Sequence, residues 1–360
     1  DAQFSKDGGR TWSVSEPVLA FSDRAAQSQP YDGPLLVRYP FRAEALPRNC
    51  SLVLEQPEMY ASIRVNGREL RFSQGEETPG KNTGTTSKKT PGDVSDGEPA
   101  GFYLDRAFRT AEITPLLKKG DNEIVLALDF RSAVPSSYDA DERYGTEIES
   151  VYLTGDFAVR GKEVAPPLAD SWRNRSPYLQ RTAPVNRLTG FVLTDEPAQV
   201  EGDMTLQGYP FFAGSMTLEK EFDLERTDSA ARYFLTFPAC EATVIGINVN
   251  GTDLSPLFAS PWEADVTQWL RPGSNKICLT LTNTLRNLLG PHHHKGGEFT
   301  EVRPVTFRAG EDVSNTMTGE PVGERDWYDA RLKGRAALWR DAYHIIPSGL
   351  LAAPEIRRER

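Results

Sequence analysis

The sequence predicts an all-β protein made of two tandem jelly-roll β-sandwiches, with an ordered connector between them and a short helix near the C-terminus. Three observations predict it. Short runs rich in Val, Ile, Leu, Phe and Thr, bounded by Gly, Pro, Asn and Asp, recur along the 360 residues. One set of turn motifs occurs twice in the same order. Finally, 29 glycines and 26 prolines disfavour long helices.

Residues 1–30 read as a leading hairpin segment. They contain Ser5-Lys6-Asp7-Gly8-Gly9-Arg10-Thr11-Trp12, a single copy of the Asp-box pattern that sialidase-type propellers repeat. One copy does not make a propeller. It predicts a turn whose amides Asp7 caps, with Trp12 packed beneath it.

Residues 31–165 form the first predicted sandwich, with strands at 35–41, 50–55, 61–65, 123–130 and 150–153. Residues 206–360 form the second, with strands at 216–222, 233–237, 243–249 and 276–281. Several of these alternate apolar and polar residues, as one-sided burial requires. The matched motifs are Ile63-Arg64-Val65-Asn66-Gly67 with Ile247-Asn248-Val249-Asn250-Gly251, then Ile113-Thr114 with Val266-Thr267, then Gly120-Asp121-Asn122 with Gly273-Ser274-Asn275. Asn-Gly supplies positive φ angles for a tight turn. Gly-x-Asn lets the chain reverse into the next buried strand.

Between these motifs the first repeat is much longer than the second. The surplus falls at residues 71–101, a polar stretch of Gly, Thr, Ser, Lys, Pro and Glu that reads as an insertion loop. Residues 166–205, with Trp172 and Tyr178, are too rich in large side chains for a free linker and read as an ordered connector. A helix is expected at 326–339 and a closing strand at 343–346.

A net charge of -10 disfavours a nucleic-acid partner. No apolar run approaches a bilayer-spanning length, so no membrane partner is expected. Cys50, Cys240 and Cys278 are scattered in strand-like runs and suggest neither a disulfide framework nor a thiolate metal site. Because the chain starts at Asp1 in strand-like sequence, it reads as a piece of something larger.

Sugar modules place aromatic faces against pyranose C–H groups. The candidate contacts are Tyr209, Phe211, Trp262 and Trp327, with His293 beside them. Trp269 occupies the position of Leu116 in the first repeat and Trp262 falls near that of Phe108, both of which suggest packing as well. His292, His294 and Glu298 are the candidate metal ligands, provided Pro291 and Gly296-Gly297 turn the chain sharply. Asp139, Asp141, Glu142, Glu147 and Glu149 form an acidic loop suited to a solvated rim or a structural calcium, the one cofactor the composition suggests. Ser-His-Asp, Walker and dinucleotide patterns are absent.

The paired order of Val65-Asn66-Gly67, Ile113-Thr114 and Asn122-Glu123-Ile124 with Val249-Asn250-Gly251, Val266-Thr267 and Asn275-Lys276-Ile277 resembles galactose-binding-domain-like jelly rolls. Three further segments are Tyr152-Leu153-Thr154-Gly155-Asp156-Phe157, Gln207-Gly208-Tyr209-Pro210-Phe211-Phe212-Ala213-Gly214 and Leu285-Arg286-Asn287-Leu288-Leu289-Gly290-Pro291-His292-His293-His294. These resemble the non-catalytic C-terminal parts of large bacterial glycoside hydrolases of the α-L-rhamnosidase-like kind. The resemblance implies a carbohydrate-binding accessory region, with carbohydrate and an upstream catalytic domain of the same protein as partners and a secreted or periplasmic setting. It carries over no catalytic residue. The alternatives are a purely structural scaffold, a glycosidase using carboxylates near residues 292–298, and a surface adhesin.

Overall fold

A computed structural model describes residues 1–27, 29–72, 101–103, 105–134, 137–139, 145–164, 186–290, 292–293 and 341–359. Most of the predicted insertion, the first part of the connector and the expected 326–339 helix lie outside them. The protein is all-β, as expected. Among the described residues no helix is long and apolar enough to cross a membrane. The chain divides into two compact units, Asp1–Phe157 with Leu193–Asp195, and Ala158–Val192 with Glu196–Arg360.

In the first unit the strands are β1 (Gln3–Ser5), β2 (Asp32–Ala43), β3 (Cys50–Glu55), β4 (Ser62–Val65), β5 (Arg68–Glu69), β6 (Phe102–Tyr103), β7 (Asp105–Glu112), β8 (Gly120–Arg131) and β9 (Val151–Gly155). One sheet carries β2-β8-β4-β5 with β1 paired to β2, and the other runs β6-β7-β3-β9. Strand β8 shows why they face each other: Asn122, Ile124, Leu126, Leu128 and Phe130 are buried while their neighbours are not. This period of two aims one face at Leu52 and Leu54 of the opposite sheet and at Ile113, just past the end of β7. Fully burying one such side chain is worth about 1.5–3 kcal/mol, so the apolar faces dominate the stability of the unit.

Residues 1–30 are more than the expected hairpin. After β1 and the Asp-box turn comes a helix at Val18–Gln27. Val18, Phe21 and Ala25 recur at helical spacing, and Phe21 and Ala25 are buried against the first core. Phe21 stacks on Phe4 at 4.1 Å between ring centroids.

From Ala158 onward the strands are β10 (Ala158–Glu163), β11 (Asn186–Thr194), β12 (Gly202–Asp203), β13 (Ser215–Leu224), β14 (Arg232–Thr236), β15 (Val244–Val249), β16 (Thr252–Asp253), β17 (Glu263–Asp265), β18 (Gly273–Thr282), β19 (Tyr343–Ile345), β20 (Gly349–Leu350) and β21 (Glu355–Glu359). The second sandwich faces β13-β18-β15-β16 against β17-β14-β21. Its core joins Ile245, Ile247, Val249, Ile277, Leu279 and Leu281 to Tyr233, Leu235 and Phe237. The order β13-β18-β15-β16 repeats β2-β8-β4-β5, and β17-β14-β21 repeats β7-β3-β9.

Two details differ from the sequence reading. Residues 343–345 do form a strand, but it pairs with β11; the strand that completes the second sandwich is β21, opposite β14. Strand β21 has Ile356 as its only apolar residue and is held by ion pairs from Arg357 to Glu263 and Arg358 to Asp228, so it carries little hydrophobic signal. Trp262 lies opposite Phe237, where the first repeat has Arg109 opposite Leu54, one residue away from Phe108. In a strand that single step changes the face a side chain occupies.

Candidate functional site

The duplicated motifs prove to be latches. Asn66 and Asn250 adopt left-handed φ angles of 51° and 52°, which Asn tolerates better than most residues. Asn66 Nδ2 donates to the Leu116 carbonyl and to Asn122 Oδ1, both at 2.8 Å, while its Oδ1 accepts from the Glu123 amide. Asn250 does the same with the Trp269 carbonyl at 2.7 Å, Asn275 Oδ1 at 2.9 Å and the Lys276 amide. Buried Asn122 and Asn275 each close the turn that precedes them, donating to two of its backbone carbonyls. Thr114 and Thr267 each accept the amide of a facing strand residue, Cys50 and Tyr233, at 2.8 Å. These side chains are occupied in holding the sandwiches together.

The candidate residues of the second unit fall in separate places. Phe211, His292 and His293 come together around Tyr343, with centroid distances of 5.6, 5.1 and 4.5 Å, and Phe191 joins Phe211 at 4.7 Å. His292 Nε2 donates to the Asn287 carbonyl at 2.8 Å, which leaves Nδ1 as the lone-pair nitrogen. Burial lowers its pKa to about 4, so the imidazole is neutral. Tyr209 packs edge-on to Phe212 at the rim of the core and donates to Glu196; burial raises its phenol to about 12. Trp262 and Trp269 are half-buried against the second core. His294, Glu298 and Trp327 lie outside the described residues, among which no three metal-ligating side chains converge.

The acidic segment before β9 contains an unusual carboxyl group. Burial, then the charges of Glu147 and Glu55, then a hydrogen bond with Glu55, raise the Glu149 pKa from 4.5 to about 7. Its amide donates to the Tyr60 hydroxyl at 3.3 Å. The nearby Tyr39 hydroxyl is buried with no hydrogen-bond partner among the described residues, and burial raises its pKa.

The first unit holds a cleft of about 280 Å³ beside the Asp-box turn. Lys6, Thr11, Ser13, Glu16, Arg24 and Gln29 line it together with the stacked rings of Phe4 and Phe21. The turn is rigid. Asp7 accepts from the Arg10 and Thr11 amides and from the Ser5 and Thr11 hydroxyls, while Gly8 and Gly9 take φ angles of 75° and 90°. These bonds, led by the Thr11 hydroxyl, hold the Asp7 carboxyl well below the usual carboxylate range. Trp12 lies under the Arg38 guanidinium, 4.1 Å from its ring centroid. Arg24 grips buried Glu16 with a two-pronged ion pair that ties the helix to the segment before it. Residue-type reasoning missed this cleft, although helical spacing at Val18, Phe21 and Ala25 marks one of its walls.

Fold and site together define a duplicated all-β sandwich protein with a small cleft of mixed polar and apolar lining. No protein-family model and no curated protein sequence matches the chain. Among solved structures it is similar to a rhamnosidase from Novosphingobium sp. PP1Y, at 14% identity and a TM-score of 0.25, covering 100% of this chain and 25% of that one. It is also similar to a β-D-mannosidase from Dictyoglomus thermophilum, at 13% identity and a TM-score of 0.27, covering 78% and 30%. A β-glucuronidase from Ruminococcus gnavus matches at 19% identity and a TM-score of 0.19, covering 36% and 20%. The chain thus spans less than a third of the length of each. Identities and TM-scores of this size transfer neither activity nor substrate.

Proposed function

We propose that the chain is a carbohydrate-binding, non-catalytic accessory region of a larger polysaccharide-degrading glycoside hydrolase, with two sandwiches of the galactose-binding jelly-roll type. The observation that carries this reading is the first-unit cleft. Its lining offers the Thr11 hydroxyl and the Gln29 amide beside the apolar rings of Phe4 and Phe21. Ligand pockets typically span about 300–1,000 Å³, so a volume of about 280 Å³ suits one sugar residue better than a chain of them. Rigid walls reduce the ordering cost of binding. Covalent attachment to a catalytic domain would make even a weak contact useful, by raising the local concentration of substrate.

In the second unit, Tyr209, Phe211, Trp262 and His293 are secondary candidate contacts, together with Trp327. The test is a glycan array on the intact chain, followed by calorimetric titration of the hits and by assay on aryl glycosides. Binding without turnover is expected. Turnover by the folded chain would overturn the non-catalytic reading, and failure to bind any glycan at millimolar ligand would overturn the carbohydrate reading. Phe211→Ala that weakens binding while leaving the circular dichroism spectrum intact would place contacts in the second unit as well.

A further inference from the structure

We infer that the first-unit cleft selects a sugar carrying a carboxylate, with Lys6 as its counter-charge. This rests on the carbohydrate-binding reading and specifies its ligand. The Lys6 ammonium lies over the Tyr31 ring at 4.4 Å from the centroid and over Phe21 at 5.5 Å. Among the described residues no carboxylate pairs with it. Glu16, the acidic residue in the lining, is already engaged by Arg24 through both of its oxygens. The lining of Lys6, Arg24 and Glu16 is therefore positive by one charge, in a chain whose net charge is -10.

Ring contacts place the ammonium without neutralising it, because a cation over an aromatic face keeps its full charge. A carboxylate entering the cleft would make a charge-assisted hydrogen bond to Lys6, which is stronger than a neutral one. The sugar hydroxyls would meet Thr11 Oγ1, which donates to Asp7 Oδ2 at 2.6 Å and keeps lone pairs to accept with, and the exposed Gln29 amide. Lys6 belongs to the same turn that Asp7 fixes, so the charge stands beside the cleft before any ligand arrives.

The experiment titrates the intact chain with D-galacturonate, D-galactose and acetate, following backbone amides by NMR. Galacturonate should shift Lys6, Thr11, Ser13 and Gln29, galactose should bind at least about tenfold more weakly, and acetate should not bind measurably. Lys6→Met should cost roughly tenfold in galacturonate affinity, about 1.4 kcal/mol, with an unchanged circular dichroism spectrum. Raised salt should weaken galacturonate binding in the native chain. Galactose binding as tightly as galacturonate, or Lys6→Met binding galacturonate normally, overturns the inference. If galacturonate fails but neutral glycans bind the chain, the charge assignment falls and the carbohydrate reading stands. If no glycan binds, both fall.

Discussion

Replacing Asn66 and Asn250 one at a time with Ala should produce matched losses, because the two side chains do the same work. Each substitution removes three hydrogen bonds: two donated by Nδ2 to oxygens at 2.7–2.9 Å and one accepted by Oδ1 from a strand amide. At about 1 kcal/mol apiece these amount to roughly 3 kcal/mol. Alanine must also hold the left-handed backbone near φ 51°, which adds about 1 kcal/mol. The expected loss is about 4 kcal/mol in the unit that carries the substitution. Scanning calorimetry should show this as a drop of the order of 10 °C in the corresponding transition. Asn→Gly at either site relieves the backbone and should recover about 1 kcal/mol. Asn→Asp keeps the acceptor but turns an anion toward two oxygens, so it should do no better than Ala. Losses below about 1 kcal/mol, or a large loss at Asn66 with none at Asn250, would refute the reasoning.

Two further outcomes follow from particular contacts. Glu149 has a folded-state pKa of about 7 against an ordinary 4.5, so the folded state holds its proton more tightly. Stability from this group is full at low pH and is lost as pH rises from about 4.5 through 7. Glu149→Gln should flatten that slope and stabilise the chain at pH 8 by about 1 kcal/mol, allowing for solvent screening of a half-exposed group; chemical denaturation at pH 5 and pH 8 measures it, and an unchanged slope would contradict it. At Gly155, a Cβ would sit 2.1 Å from the Asn49 carbonyl oxygen. Gly155→Ala should therefore cost at least about 3 kcal/mol in urea denaturation by forcing β9 away from β3, whereas Gly67→Ala, whose Cβ meets nothing, should cost only the backbone term.

Much of the sandwich architecture is legible in the sequence because its turns need residues with special backbone freedom. Asn66-Gly67 and Asn250-Gly251 stand where φ is positive, and Gly120 and Gly273 follow suit at 93° and 83°. Strands β8 and β18 announce themselves by alternation. Strand β21 does not, since a strand held by Arg357 and Arg358 ion pairs looks like a charged tail. The site was harder to read for a different reason. Aromatic residues can be listed by type, but whether Phe211 faces solvent or stacks on Phe191 depends on partners from distant segments. The cleft likewise joins a turn, a connecting segment and a helix, with no shared motif. Only its Asp-box wall carries a recognisable pattern, and that pattern specifies a turn rather than a ligand.

The paired latches have a consequence for how the chain tolerates added length. In the second unit nine residues join β16 to β17, whereas the join from β5 to β7 in the first unit is about four times longer, yet the strand order on either side is the same. Closing a loop costs only about 0.6 kcal/mol for each doubling of its length, so two doublings amount to about 1 kcal/mol, well within what one Asn latch supplies. This junction is therefore a natural graft site. A peptide tag or small reporter spliced into the exposed stretch 258–260, beyond the Leu257–Ile245 bridge, would leave the sandwich beneath it clamped by Asn250, and the first unit has the longer join at the matching position.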